Sequence, residues 1–401
     1  MNKVKIAILA PEFYPQNGGA GTYAIKLVKE LIKDENYEVH VITPAKNLPL
    51  KKYNKPEVLR MFSNKIQLHN ISTANDTFVF NFIFQLATFF KLSQLQKKYH
   101  FDVIHVTSLV AMPDIYLRIL GKNFPVVVTA HTIIKGQVRG TLQSQKNPLK
   151  MGLSELGSIF FYPYIAFLEN IYVHTTSHLI LTSHYNQKYF TEKYGFKGRI
   201  YVTHTGIDVE TFSSIKQEIP DIKMIKKPII SYVGRLIAQK GIHVLIEAMK
   251  DVKGDYHLVF AGTGNKEAIE KELISQGIKN YTFLGFIPQE KLAYLHSKTA
   301  VYVLPSFYED FPNTILEAMC LKTPIIASRI NGIPEMITHN KEGFLFDVGN
   351  TSQLKGYIQK LLDRPNERKK LGNNAFLKVN KDFHIQKMTE DTKKIYAEVM
   401  K

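Results

Sequence analysis

Short apolar runs rich in β-branched residues alternate with stretches of helical period along most of the chain. The first series is Lys5–Ala10, Tyr37–Thr43, Val58–Phe62, Asp102–Thr107, Pro125–Ala130, Leu179–Ser183 and Arg199–Thr203. Runs that are apolar throughout, with helices between them, predict parallel strands covered on both faces. The pattern restarts with Pro228–Gly234, Tyr256–Gly262, Tyr281–Phe286, Ala300–Pro305, Pro324–Ser328 and Gly343–Phe346. Between the two series, Asp208–Lys227 is polar, contains Pro220 and has no long periodic run, which predicts a linker over 208–227. The chain therefore reads as one doubly wound lobe over 1–207 and a second over 228–380, facing each other across a cleft. Ile385, Met388, Ile395 and Val399 recur at helical spacing among charges, so 381–401 is expected to form an amphipathic helix packing back toward the first lobe.

Composition narrows the class. A chain of 401 residues, 45% hydrophobic and 22% charged, is an ordinary folded protein and not a disordered or disulfide-stapled one. Cys320 is the single cysteine, which excludes an internal disulfide and a cysteine-based metal cluster. The apolar run at the N-terminus is short and stopped by Pro11 and Glu12, so it reads as a first strand and not as an export signal. The longest apolar tract, Phe78–Phe90, falls short of the ~20 residues that span a bilayer and contains Asn81, Gln85 and Thr88. A cytoplasmic location is expected. Lysine and arginine exceed the acids by 52 to 35, a net charge of +17, which points to an anionic partner: nucleic acid, a membrane surface or a phosphorylated substrate.

Open parallel sheets bind ligands beyond the carboxyl ends of their strands, where loops and helix starts present unpaired N–H groups. The loop after the first run holds Gly18, Gly19 and Gly21 and opens a helix with Ala24, Leu27, Val28 and Leu31 on one face. It is not a G-x-G-x-x-G fingerprint, and no acid closes the second strand, which argues against a dinucleotide dehydrogenase. After Ile229–Val233 comes Gly234-Arg235, then Lys240-Gly241 and a helix from about Ile242. A cation at a helix start opposes the macrodipole by ~0.3–1 kcal/mol, so two of them suggest an anion held between. Arginine would grip a diphosphate bidentately and lysine as a point charge. After Ala300–Pro305 the loop carries Glu309, and Glu317 follows in the first turn of the next helix. Thr314-x-x-Glu317 also fits a capping box, a structural alternative for that glutamate, whereas Glu309 has no capping role. His131 follows Pro125–Ala130, where a buried structural histidine is the competing reading. No histidine or carboxylate spacing supports a metal site, and neither a nucleophile elbow nor a P-loop is present.

Together these residues resemble the retaining glycosyltransferases of family 4, whose GT-B fold pairs two Rossmann-like lobes. The likeness runs over essentially the whole chain. It rests on Gly18-Gly19, His131, His204-Thr205-Gly206-Ile207-Asp208, the Gly234–Gly241 turn, Ala261-Gly262-Thr263-Gly264, and Glu309-x7-Glu317 leading into Thr323-Pro324 and Gly332-Ile333-Pro334-Glu335. The resemblance implies that Arg235 and Lys240, in the turn opened by Gly234, bind the donor diphosphate and that Glu317 binds the nucleotide ribose. Glu309 would hold hydroxyls of the transferred sugar, His131 would contact it from the opposite lobe, and Gly18 and Gly19 would close over the phosphates. Phe311, Asn313 and Thr314 would offer backbone N–H groups, which Pro312 lacks. Fixed cations that stabilise the departing diphosphate make a divalent metal and any cofactor unnecessary. The Phe311-Pro312-Asn313 variant favours a UDP-sugar donor, with GDP-mannose as the alternative. Asp310, Lys322 and Asn331 stand where the family commonly has glycine, and a lysine at positive φ is uncommon, so the turn at Lys322 is expected to differ locally.

The basic charge collects in acid-free stretches at Pro44–Pro56, Thr77–Phe101 and Thr132–Ser154, all assigned to the first lobe. Phe78–Phe90 confines its polar residues to one stripe, the mark of a helix buried in protein or lying in a membrane interface, and Ile159–Leu168 is a second aromatic tract. The predicted function is retaining transfer of a hexose to a lipid-linked saccharide or lipid in cell-envelope glycan or glycolipid synthesis. The first lobe would dock on an anionic membrane at its inner face. A nucleic-acid-binding protein on the same scaffold is the rival from another class, but no recognition motif supports it and no nucleic-acid partner is expected.

Overall fold

The computed structural model describes residues 3–14, 18–47, 52–73, 82–108, 124–144, 157, 159–215 and 217–401. The chain divides into two compact units: 1–134 with 160–206 and 385–401, and 135–159 with 207–384.

The first unit holds β1 (Val4–Leu9), β2 (Tyr37–Thr43), β3 (Ile66–Asn70), β4 (Val103–Val106), β5 (Val126–Ala130), β6 (His178–Leu181) and β7 (Arg199–Val202). They form one sheet in the order β3-β2-β1-β4-β5-β6-β7, and every pairing is parallel. Central strands are buried on both faces, all five residues of β5 included, which is why they read as unbroken apolar runs. One predicted strand is a helix: Val58–Phe62 falls largely within the helix Lys55–Met61, and the strand comes later, at Ile66–Asn70. The helix has its start signals in the sequence, since Asn54 accepts the Glu57 N–H as a cap and Pro56 sits in the first turn. The last helix, Ile385–Val399, belongs to this unit and buries Ile385, Met388, Ile395 and Tyr396 in the same core as β1 and the helix Gly19–Leu31.

Helix Phe82–Tyr99 orients its faces in an unusual way. Gln85 and Thr88 are buried, Thr88 by donating its hydroxyl to the Phe84 carbonyl at 2.8 Å, while Ile83, Leu86 and Phe90 are 48%, 43% and 66% exposed. In the second aromatic tract Phe160 and Phe167 are exposed as well. Parts of the basic stretches, 48–51, 77–81 and 145–154, lie outside the described residues. No helix among the described residues is long and apolar enough to cross a membrane.

The second unit repeats the winding with β8 (Ile229–Val233), β9 (His257–Ala261), β10 (Tyr281–Gly285), β11 (Thr299–Leu304), β12 (Ile325–Ser328) and β13 (Gly343–Phe346) in the order β10-β9-β8-β11-β12-β13, again all parallel. Both sheets are doubly wound in the Rossmann manner, as the apolar pattern predicts. The stretch 208–227 carries two short helices, Val209–Ser214 and Pro220–Lys223. It is not an open connection, because Val209, Phe212, Ile219 and Ile222 are buried in the second unit's core. Residues 135–159, expected in the first lobe, group with the second unit.

The turn at Lys322 keeps the geometry that a glycine would give it. Lys322 has φ 58° and Asn331 φ 45°. Hydrogen bonds from Lys322 N to Met319 O and from Thr323 N to Ala318 O close the preceding helix, and the Lys322 ammonium lies 4.8 Å from the centre of the Phe376 ring. Those contacts offset the steric cost of the left-handed conformation.

Candidate active site

In the second sheet the strand order reverses between β8 and β11, and the loops that follow these two strands flank the resulting crevice. Arg235, Lys240 and Glu309 lie on these two loops, and Glu317 lies on the helix after the second. The first loop leaves β8 at Gly234, whose N–H donates to the Ala261 carbonyl, and Tyr232 fixes it by donating its hydroxyl to the Arg235 carbonyl at 2.7 Å. A 3-10 turn, Ala238–Lys240, then runs into Gly241. Gly241 has φ 69°, and a Cβ there would stand 1.8 Å from the Pro305 carbonyl oxygen. Only glycine lets the Lys240 turn press against the end of β11.

That close approach joins the two loops. Lys240 Nζ donates to Glu309 Oε1 at 2.6 Å, with only 18% and 13% of the two side chains exposed. Ser306, fully buried, donates its hydroxyl to the same oxygen at 3.0 Å. The carboxylate is thus fixed in orientation by two donors in a partly desolvated place, where charge-assisted hydrogen bonds are at their strongest. Arg235 is exposed and makes no ion pair among the described residues.

Phe311 turns its ring into the core, 5.3 Å from Phe383 and nearly perpendicular to it. The helix Asn313–Cys320 starts directly after Pro312 and has no side-chain cap. Glu317 therefore lies in the second turn, not the first, and the Thr314–Glu317 capping box does not form. Asn313, Thr314 and Glu317 are half-buried.

The first unit carries Gly18, Gly19 and His131. Gly18 caps the helix Gly19–Leu31, and its N–H donates to Glu12 Oε2 at 2.9 Å. Residues 15–17 of this loop lie outside the described residues. His131, just past β5, stands edge-on to Tyr23 with ring centres 4.7 Å apart. Burial lowers its pKa to about 4 against the opposing effect of a hydrogen bond to the Thr107 backbone. The ring is neutral at pH 7, and Nε2 is shielded from solvent without a hydrogen-bond partner among the described residues. Behind it lies a buried polar chain: Thr129 donates to the Tyr23 hydroxyl at 3.5 Å, and His105 bridges Thr129 (2.7 Å) and Tyr396 (2.6 Å). Burial holds His105 down to about 3.

Ser306, Gln239, Glu12 and Tyr23 were not singled out from the sequence. Ser306 and Gln239 do adjoin flagged loops, and a small hydroxyl three positions before Glu309 was the available signal.

The fold and the loops define the class: two Rossmann-like lobes of the GT-B type, with a fixed cation and carboxylate at the switch point of the second. Residues 17–211 match the family model described as Glycosyltransferase Family 4, and residues 215–378 match Glycosyl transferases group 1. The chain belongs to this family of GT-B glycosyltransferases. An uncharacterised glycosyltransferase of Methanocaldococcus jannaschii is 24% identical, and N-acetyl-alpha-D-glucosaminyl L-malate synthase of Bacillus anthracis 25% identical, each over the whole of this chain and at least 98% of the relative. Among solved structures, sucrose-phosphate synthase of Thermosynechococcus elongatus has a TM-score of 0.77 at 20% identity, covering 99% of both chains. Anabaena HepE in complex with UDP has a TM-score of 0.72 at 18% identity, covering 98% of this chain and all of HepE.

Proposed function

We propose that the chain moves a hexose from a nucleotide sugar, with a UDP-sugar as the favoured donor, to a lipid-linked saccharide or lipid in cell-envelope glycan synthesis. The observation that carries this reading is the Lys240–Glu309 contact at the switch point of the second sheet. A diphosphate leaving from the sugar's anomeric carbon gains negative charge, which Lys240 and the exposed Arg235 are placed to receive, while Glu309 accepts hydrogen bonds from sugar hydroxyls. Glu317 takes the ribose, and the N–H groups of Phe311, Asn313 and Thr314, with the Gly234 turn, line the donor. His131 for the sugar and Gly18 and Gly19 for the phosphates are the first unit's candidates in this reading.

In this account the acceptor oxygen attacks from the face that the diphosphate leaves, so the configuration is retained. The departing phosphate oxygen takes the acceptor proton. Two fixed cations supply the charge stabilisation for which other transferases use a divalent metal, so transfer needs none.

Support for a lipid acceptor comes from the outward apolar face of helix 82–99 and from exposed Phe160 and Phe167, on a chain of net charge +17. Such surfaces sit in the headgroup region of an anionic bilayer, at its inner face for an enzyme that uses nucleotide sugars. Two partial relatives, glycosyltransferases of amylovoran and capsular polysaccharide biosynthesis, fit this setting.

Thermal shift with UDP, GDP, ADP and TDP in EDTA tests the donor. UDP is expected to raise the melting temperature most, since a ligand at 100 times its Kd stabilises by ~2.7 kcal/mol. A larger shift with GDP would replace the donor by GDP-mannose. Product analysis with and without lipid extract then tests the acceptor.

A further inference from the structure

Helix Ile134–Ser144 lies in the first half of the sequence yet is built into the second unit, against the loop that carries Glu309. Gly136 and Gly140 are four positions apart and therefore share a face. A Cβ at Gly136 would stand 2.6 Å from the Tyr308 ring, and one at Gly140 would stand 2.6 Å from Tyr308 Cβ and 3.0 Å from the Phe307 carbonyl oxygen. The same helix holds Gln239, which is 3% exposed. Its side-chain amide donates to the Gln137 backbone carbonyl at 2.9 Å and to Thr141 Oγ1 at 3.0 Å, while the Gln239 backbone carbonyl accepts from Phe307 N–H at 2.9 Å. Gln239 immediately precedes Lys240, and Phe307 and Tyr308 immediately precede Glu309. Tyr308 is tied down at its far end too, donating its hydroxyl to Asp310 Oδ2 at 2.8 Å.

We infer that helix 134–144 is a positioning element of the donor site, acting through Gln239 and Tyr308 to fix the Lys240 turn against the Glu309 loop. This rests on the donor reading given above. A buried amide with both donors satisfied by one helix has a single low-energy placement, and the turn it belongs to inherits that placement. Among the described residues the helix makes no hydrogen bond or ion pair with either of the paired charges; it sets the distance between the segments that bear them.

The test compares wild type with Gln239→Leu and with Thr141→Val, a milder change that removes one of the two acceptors and keeps the side-chain shape. Two readouts are taken: backbone hydrogen exchange of 307–311, and the ratio of affinities for UDP-glucose and UDP. Gln239→Leu is expected to speed exchange in 307–311 by at least about tenfold while β8 and β9 exchange as before. It is also expected to cut the preference for UDP-glucose over UDP by roughly tenfold, with Thr141→Val intermediate in both. Unchanged exchange in both variants overturns the inference, as does a loosened loop with an unaltered preference, which makes the contact structural alone. If wild type binds neither nucleotide the donor reading fails, and the exchange comparison still decides whether the helix positions the loop.

Discussion

Lys240 Nζ lies 2.6 Å from Glu309 Oε1 across 69 positions of sequence. The cation and the carboxylate are preorganised on two loops that meet only because Gly241 lets them. Lys240→Ala is expected to lower turnover by about 10²–10³-fold, the usual cost of removing one fixed charge-stabilising group. Glu309→Gln keeps the shape and the hydrogen bond from Ser306 but not the charge, and is expected to lose activity to a similar degree. Steady-state transfer beside a thermal melt checks both; near-normal turnover in either variant contradicts the site assignment.

Gly241 and Gly277 provide a matched pair. Both have φ near +70°, but a Cβ at Gly277 would meet nothing within 4 Å, whereas one at Gly241 would strike the Pro305 carbonyl. Gly277→Ala is expected to cost about 1–2 kcal/mol for the left-handed backbone. Gly241→Ala adds a backbone clash and is expected to cost roughly 3 kcal/mol or more, and to weaken nucleotide binding as well. Denaturant melts of the two variants measure the difference.

Three buried histidines make the fold sensitive to acid. Burial holds His105 and His296 down to about 3 and His131 down to about 4, well below the unfolded value near 6.5. Above pH 6.5 they are neutral folded and unfolded, and stability is unaffected. Between 6.5 and about 3 the unfolded chain binds protons that the folded one refuses, so stability falls as the pH drops. At pH 5 the loss is about 2 kcal/mol per histidine. Because neither ring nitrogen of His296 has a hydrogen-bond partner among the described residues, His296→Leu is expected to flatten the fall between pH 7 and pH 5 by about that amount. An equally steep profile in the variant excludes His296 as a source.

The outward apolar residues Phe90, Phe160 and Phe167 carry the membrane proposal. Replacing all three by serine leaves the core untouched, while each ring forgoes about 1.5–3 kcal/mol of burial on docking. Liposome flotation with anionic vesicles is expected to show the triple variant in the supernatant and the wild type with the lipid. Equal flotation of both, or flotation indifferent to lipid charge, argues against docking through this surface.

The parallel strands were legible because burial on both faces writes them as unbroken apolar runs; β2 and β13 fall where the sequence alone places them. Val58–Phe62 misled because a short apolar run fits either period, and the cap at Asn54 decides for helix. Arg235, Lys240 and Glu309 could be singled out because charges directly after buried strands have few structural reasons to be there. What stayed hidden is what long-range packing decides. Gln239 is an unremarkable polar residue until helix 134–144 lies against it, and the Gly136–Gly140 spacing has meaning only once Tyr308 occupies the space above it. The inward turn of Gln85 and Thr88 is another such case, since periodicity shows that a helix has two faces and not which of them meets the core.

The central claim is that Arg235 and Lys240 grip the donor's diphosphate without help from a metal. Calorimetric titration of UDP in EDTA, into wild type and into Arg235→Ala and Lys240→Ala, tests it most directly. The account predicts binding by wild type without metal and a weakening of at least about tenfold in each variant. Binding that requires a divalent cation, or variants that hold UDP as tightly as wild type, would contradict it.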